Sequence, residues 1–84
     1  MPEQKTRLTR PIHPMPDAIR ARLEKDDLLA DFFDRPAYQQ NDYLGWIDRA
    51  KRESTRTKRL EQMLDELRVG GVYMKMPHLP SRKD

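Results

Sequence analysis

Eighty-four residues without a cysteine bound the protein to one small domain that no disulfide or thiolate metal site can brace. The chain is 37% charged, with a net charge of +3 and a sequence pI near 9.4, which is mildly basic and no nucleic-acid footprint by itself. Its first residues are polar, and no apolar run approaches the ~20 residues that a membrane span needs. The expectation is therefore a cytoplasmic chain without a membrane-inserted segment.

Residues 1–15 read as an extended arm, because Pro2, Pro11 and Pro14 interrupt regular structure and few apolar residues anchor it. A first helix starts at Pro16-Asp17, where proline suits the opening turn and the aspartate faces the positive helix end. Ile19 and Leu23 lie one turn apart on its inner side. Asp26-Asp27 is expected to end this helix and cap the next. The second helix covers Leu28–Asp34, and Leu28, Leu29, Phe32 and Phe33 form its apolar cluster. With both phenylalanines of the chain, it is expected to be the densest contributor to the core.

A third helix is predicted from Pro36 to Lys51, with Tyr43, Leu44, Trp46, Ile47 and Ala50 on its apolar side. A fourth runs from Thr55 to Val69 on Leu60, Met63, Leu64 and Leu67, and Gly70-Gly71 stops it. No proline separates the two. At about 100° per residue, however, their apolar sets point roughly a third of a turn apart. That phase shift predicts a break near residues 52–54, with Ser54 as N-cap. Beyond it, residues 72–84 read as an extended or disordered basic tail. The alternation of Val72, Met74 and Met76 gives weak strand character, but no pairing partner is apparent. The fold class is thus all-α: about four short helices spanning residues 16–71, between extended N- and C-terminal arms.

The run Tyr43-Leu44-Gly45-Trp46-Ile47, followed by Ala50-Lys51, Thr55-Arg56 and Arg59-Leu60, resembles the C-terminal helical module of the YdeI/OmpD-associated family of bacteria. Phe32-Phe33 and the Pro16-Asp17 start fit the same module, so the resemblance covers about residues 16–70. Where that family often has Pro-Glu before Thr-Arg, this chain has Glu53-Ser54. The resemblance implies a small helical domain linked to bacteriocin protection or envelope stress, and it implies no catalytic residue.

Charge is unevenly spread. Residues 17–47 hold four Lys/Arg against seven Asp/Glu, and residues 48–60 hold six against two. Arg49, Lys51, Arg52, Arg56, Lys58 and Arg59 therefore form the candidate anion- or partner-binding cluster. One reading is an anion site in which arginines supplement the N–H groups of a helix start. A second is a nucleic-acid contact through two helices around a short turn. A third is a solvated face paired with Asp48, Glu53 and Glu61. Trp46 is expected in the core. His13 and His78 are expected to be exposed, and neither has a second ligand at metal spacing. No carboxylate sits in an apolar setting, and no Gly-rich phosphate loop or nucleophile elbow occurs. The function expected is that of a non-enzymatic helical module without cofactor, which binds a protein partner or itself. The alternative is a nucleic-acid accessory protein using the basic turn.

Overall fold

The computed structural model describes residues 13–82, with side chains described as far as Pro77. Most of the arm expected over residues 1–15, the last two residues of the tail and the side chain of His78 lie outside the described residues. Four helices follow in chain order: α1 (Asp17–Lys25), α2 (Leu29–Asp34), α3 (Ala37–Asp48) and α4 (Glu53–Val69). A small antiparallel pair, β1 (Gly70–Tyr73) and β2 (Met76–Arg82), completes the fold. The domain is mostly α-helical, as the apolar periodicity predicts.

Each junction has a local cause. Pro16 and Pro36, both extended in ψ, immediately precede α1 and α3 and give each helix its N-terminal boundary. Helix α1 ends when Asp27 turns left-handed, with φ of 59°. The Leu28 N–H then reaches back to the Leu23 carbonyl at 2.8 Å, and the Asp27 N–H reaches Glu24 at 3.1 Å. This Schellman closure brings two buried leucines, Leu23 and Leu28, to its hydrophobic contact. Asp26-Asp27 thus ends α1 as expected but does not cap α2, whose N-cap position is Leu28 with no side-chain bond.

The break between α3 and α4 falls at residues 49–52, slightly earlier than expected. Helix α3 stops at Asp48 instead of Lys51, and α4 begins at Glu53. The N-cap position is Arg52, without a side-chain cap, and Ser54 lies inside the helix. The closure of α3 determines this position: the Arg49 N–H bonds to Gly45 and the Ala50 N–H to Ile47. Ala50 itself is buried, which turns the chain inward before α4 departs.

The core unites all four helices. Ile19 and Leu23 of α1 meet Leu28 and Phe32, then Tyr43, Leu44 and Ile47 of α3, and Met63, Leu64 and Leu67 of α4. Phe33 does not join them; it is half exposed and meets Phe32 edge-on at 5.4 Å between centroids. Consecutive residues diverge by about 100°, and on this short helix it is Phe32 that takes the inward direction. Trp46 packs against the core but is only partly buried.

The strand-like tail segment does have a partner, the chain immediately following it. Tyr73 pairs with Met76 and Val72 with Pro77, while Gly70 pairs with Arg82 across an irregularity. The two-residue turn places Met74 and Lys75 at φ of 52° and 65°. Positive φ at both central residues is the requirement of a type I′ hairpin turn, usually met by Asn and Gly. Gly70 and Gly71, at φ of 75° and 70°, carry α4 into β1 through backbone that other residues rarely adopt.

Candidate functional site

The six basic residues singled out from the sequence do gather around the α3–α4 junction, but they do different things. Arg56, one turn into α4, reaches back to the Ala50 carbonyl with Nη2 at 3.0 Å and meets Glu53 at 3.4 Å. Arg59, a turn further on, donates from Nη1 to the Trp46 carbonyl at 2.6 Å. Its Cζ lies 5.2 Å from the centroid of the Trp46 ring. The last carbonyls of a helix have no partner within it, so Arg59 closes the C-terminal end of α3, while Arg56 holds the Ala50 carbonyl of the connecting turn; both tie the junction to α4. Arg49, Lys51, Arg52 and Lys58 are exposed, and none forms an ion pair with another described residue. Glu61, expected to pair with this cluster, instead binds Arg22 of α1 at 2.7 Å.

Two concavities flank the first turns of α4. On one side a half-open groove of about 340 Å³ lies between α1, α3 and α4. Its floor includes Ile19, Leu44, Ile47 and Leu60, and its rim carries Asp48, Glu53, Arg56 and Thr57. On the other side a recess of about 240 Å³ is lined by Trp46, Thr55, Lys58, Arg59 and Gln62. Lys58 and Arg59 are charged and Thr55 and Gln62 neutral; no carboxylate is among its lining residues.

A second polar region was not singled out from the sequence. Glu66 is buried on the inner side of α4. Its Oε1 accepts the Tyr43 hydroxyl at 2.5 Å and the Met74 N–H at 2.8 Å, and its Oε2 accepts the Lys75 N–H at 2.8 Å. Gln62 also donates to Oε2 at 3.1 Å. The carboxylate thereby satisfies both N–H groups of the strained hairpin turn. Arg35, equally buried, donates to the Glu66 backbone carbonyl at 3.0 Å and to Gln39 at 3.2 Å. Burial, reinforced by the Glu66 hydrogen bond, pushes the Tyr43 phenol well above its ordinary range. Tyr73 completes the seal: its ring meets Tyr43 edge-on at 5.3 Å, and its hydroxyl donates to Asp42 at 2.8 Å. Helical periodicity did not mark Glu66: at about 100° per residue it lies roughly 60° outside the arc that Met63, Leu64 and Leu67 bury, and the hairpin turn is what covers it.

His13 is not exposed as expected. Its backbone N–H donates to Asn41 at 2.7 Å, and its ring lies over Gly45, where an added Cβ would stand 2.6 Å from Nε2. Glycine at that position lets the segment before α1 lie against α3. Among the described residues no group of three His, Cys, Asp or Glu converges as a metal set. None of the described helices is long and apolar enough to cross a membrane.

Fold and junction together define a small helical module whose α3–α4 elbow is tied by arginines and flanked by two concavities. A family model described as "Bacteriocin-protection, YdeI or OmpD-Associated" matches residues 13–70, and the chain belongs to that family. The match begins where His13 docks on α3 and ends where β1 starts. No curated protein matches the chain, and no solved structure does.

Proposed function

We propose that the protein is a non-enzymatic binding module that receives a segment of a partner protein at the α3–α4 elbow. The observation that carries this reading is the half-open groove between α1, α3 and α4, with its apolar floor and its rim of both charge signs. Apolar anchors set in a polar surround are the usual anatomy of protein recognition. A nucleic-acid surface would offer donors and cations where this groove offers Ile19, Leu44 and Leu60. Membership of a family described by bacteriocin protection and OmpD association supports a role exercised through other proteins.

A photo-crosslinking residue at Thr57, which is exposed on the rim, tests the reading inside bacterial cells. The expected result is capture of one defined partner, lost when Ala18→Arg fills the groove from its α1 side. Absence of a defined adduct, or an adduct indifferent to Ala18→Arg, overturns it. Purified Ala18→Arg keeps its melting temperature, since Ala18 is exposed.

The alternative, nucleic-acid binding through the elbow, is favoured by one observation: Arg49, Lys51, Arg52 and Lys58 are exposed and form no ion pair with another described residue. Binding of that kind weakens steeply with salt. A gel shift with duplex and single-stranded DNA at low salt, lost on adding salt, supports it; no shift at low salt eliminates it.

A further inference from the structure

We infer that the recess between Trp46 and α4 is a receptor for an acidic side chain of the partner. The inference rests on the reading of the elbow as a protein-binding surface, but it concerns the face opposite the apolar groove. Thr55, Lys58, Arg59 and Gln62 follow one another at helical spacing, so α4 presents them as one stripe beside the Trp46 ring. The stripe brings two cations, a hydroxyl and an amide to a space of about 240 Å³ with no carboxylate in its lining.

Arg59 is held ready for such a ligand. Its contact with the Trp46 ring, 5.2 Å from Cζ to the centroid, and its bond to the Trp46 carbonyl restrain the guanidinium before anything binds. That carbonyl takes one N–H; the rest of the fork has no hydrogen-bond acceptor among the described residues. A guanidinium so placed matches a carboxylate through paired N–H donors, and little rotamer freedom is left to lose. Lys58 adds a mobile charge beside it. Gln62 is also oriented, because its amide donates to buried Glu66.

The available positive charge of the stripe is short. Past Gln62, the next exposed position on this side of α4 is Asp65, which pairs with Arg68 at 2.8 Å, and Glu66 is buried with its partners inside the chain. Lys58 and Arg59 are therefore the cations the stripe offers, which suits one or two acidic residues, with an adjacent apolar side chain against the indole.

Trp46 is the only tryptophan of the chain, so its emission reports on this recess directly. The full chain is titrated at low and high salt with an acetylated Glu-Glu-Leu-Glu peptide, its Gln-Gln-Leu-Gln counterpart and a thymidine 12-mer. The expected result is a saturable, salt-sensitive change in emission with the Glu peptide and none with the Gln peptide. Lys58→Glu should weaken it about tenfold, the equivalent of ~1.4 kcal/mol, with an unchanged melting temperature. Arg59→Lys keeps the charge without the fork and should weaken it too. Silence with the Glu peptide, or equal binding by Lys58→Glu, overturns the inference. If Thr57 still captures a partner, the broader reading survives that failure. Saturation by the thymidine 12-mer with the peptides silent overturns both.

Discussion

Glu66 and Arg59 stand about two turns apart on α4, and they illustrate opposite uses of a charge. Glu66 is buried, and its carboxylate accepts from Tyr43, Gln62 and the N–H groups of Met74 and Lys75. Arg59 is half-buried and ties α3 to α4 through one carbonyl, while the rest of its fork faces no described acceptor. A charge whose partners all lie within the chain specifies that chain's shape. A charge that is oriented but incompletely satisfied leaves capacity for something else. The contrast separates the scaffold, centred on Glu66, from the elbow where a partner is proposed to bind.

The largest test of the comparison is Glu66→Ala. It leaves the Tyr43 hydroxyl and two turn N–H groups without their acceptor, and the expected loss is about 3 kcal/mol or more in urea unfolding. Amide exchange should rise first in residues 70–77. A cost below about 1 kcal/mol would show that the carboxylate is not the centre of the scaffold.

Tyr43→Phe removes one of those bonds and should cost about 1–1.5 kcal/mol at neutral pH. It should also change the alkaline response. The folded phenol is held above its unfolded value, so its stabilising contribution is complete below about pH 10 and declines as pH rises beyond that. The decline approaches ~1.4 kcal/mol per pH unit. The advantage of the native chain over Tyr43→Phe should therefore shrink between about pH 10 and 11. A constant difference across that range would mean that the Tyr43 hydroxyl reaches solvent in the native state.

Lys75→Gly acts in the opposite direction. Lys75 is exposed and sits at φ of 65°, so glycine relieves strain without losing a side-chain contact. A gain of about 0.5–1 kcal/mol is expected, because glycine's own entropy cost offsets part of the relief. Of similar size and opposite sign, Arg56→Ala should cost about 0.5–1 kcal/mol by exposing the Ala50 carbonyl. Lys51→Ala and Lys58→Ala should stay within about 0.5 kcal/mol. If the lysine variants cost as much as Arg56→Ala, the division between tying and free cations at the elbow fails.

The same contrast marks where the sequence was informative. Helix periodicity located α1, α3 and α4 because each buries several apolar residues at helical spacing, whereas α2 buries Phe32 alone and leaves Phe33 exposed; the mismatch in phase between Tyr43–Ala50 and Leu60–Leu67 revealed the bend. The hairpin was not recognised because its turn residues are Met74 and Lys75, not the Asn-Gly pair that announces such turns. What holds that turn is a carboxylate eight and nine residues upstream, a tertiary contact invisible to local propensity. Ser54 looked like a cap because serine favours that role, but the closure of α3 through Gly45 and Ile47 placed the helix start earlier. The elbow's basic residues were legible as a cluster. Their division into two that tie helices and four that do not required the position of the Trp46 and Ala50 carbonyls.

The pairing of Pro77 with Val72 also bears on how copies of the chain can meet. A two-stranded ribbon has outer edges that, in other proteins, template filaments or strand-swapped assemblies. Here β2 carries Pro77 and Pro80, which lack the N–H that an incoming strand needs. The row of donors along that edge is therefore interrupted, and growth of the ribbon into a larger sheet is disfavoured by covalent structure. Contacts through that edge are thereby disfavoured relative to the helical faces, where contacts depend on side chains and can be altered one residue at a time.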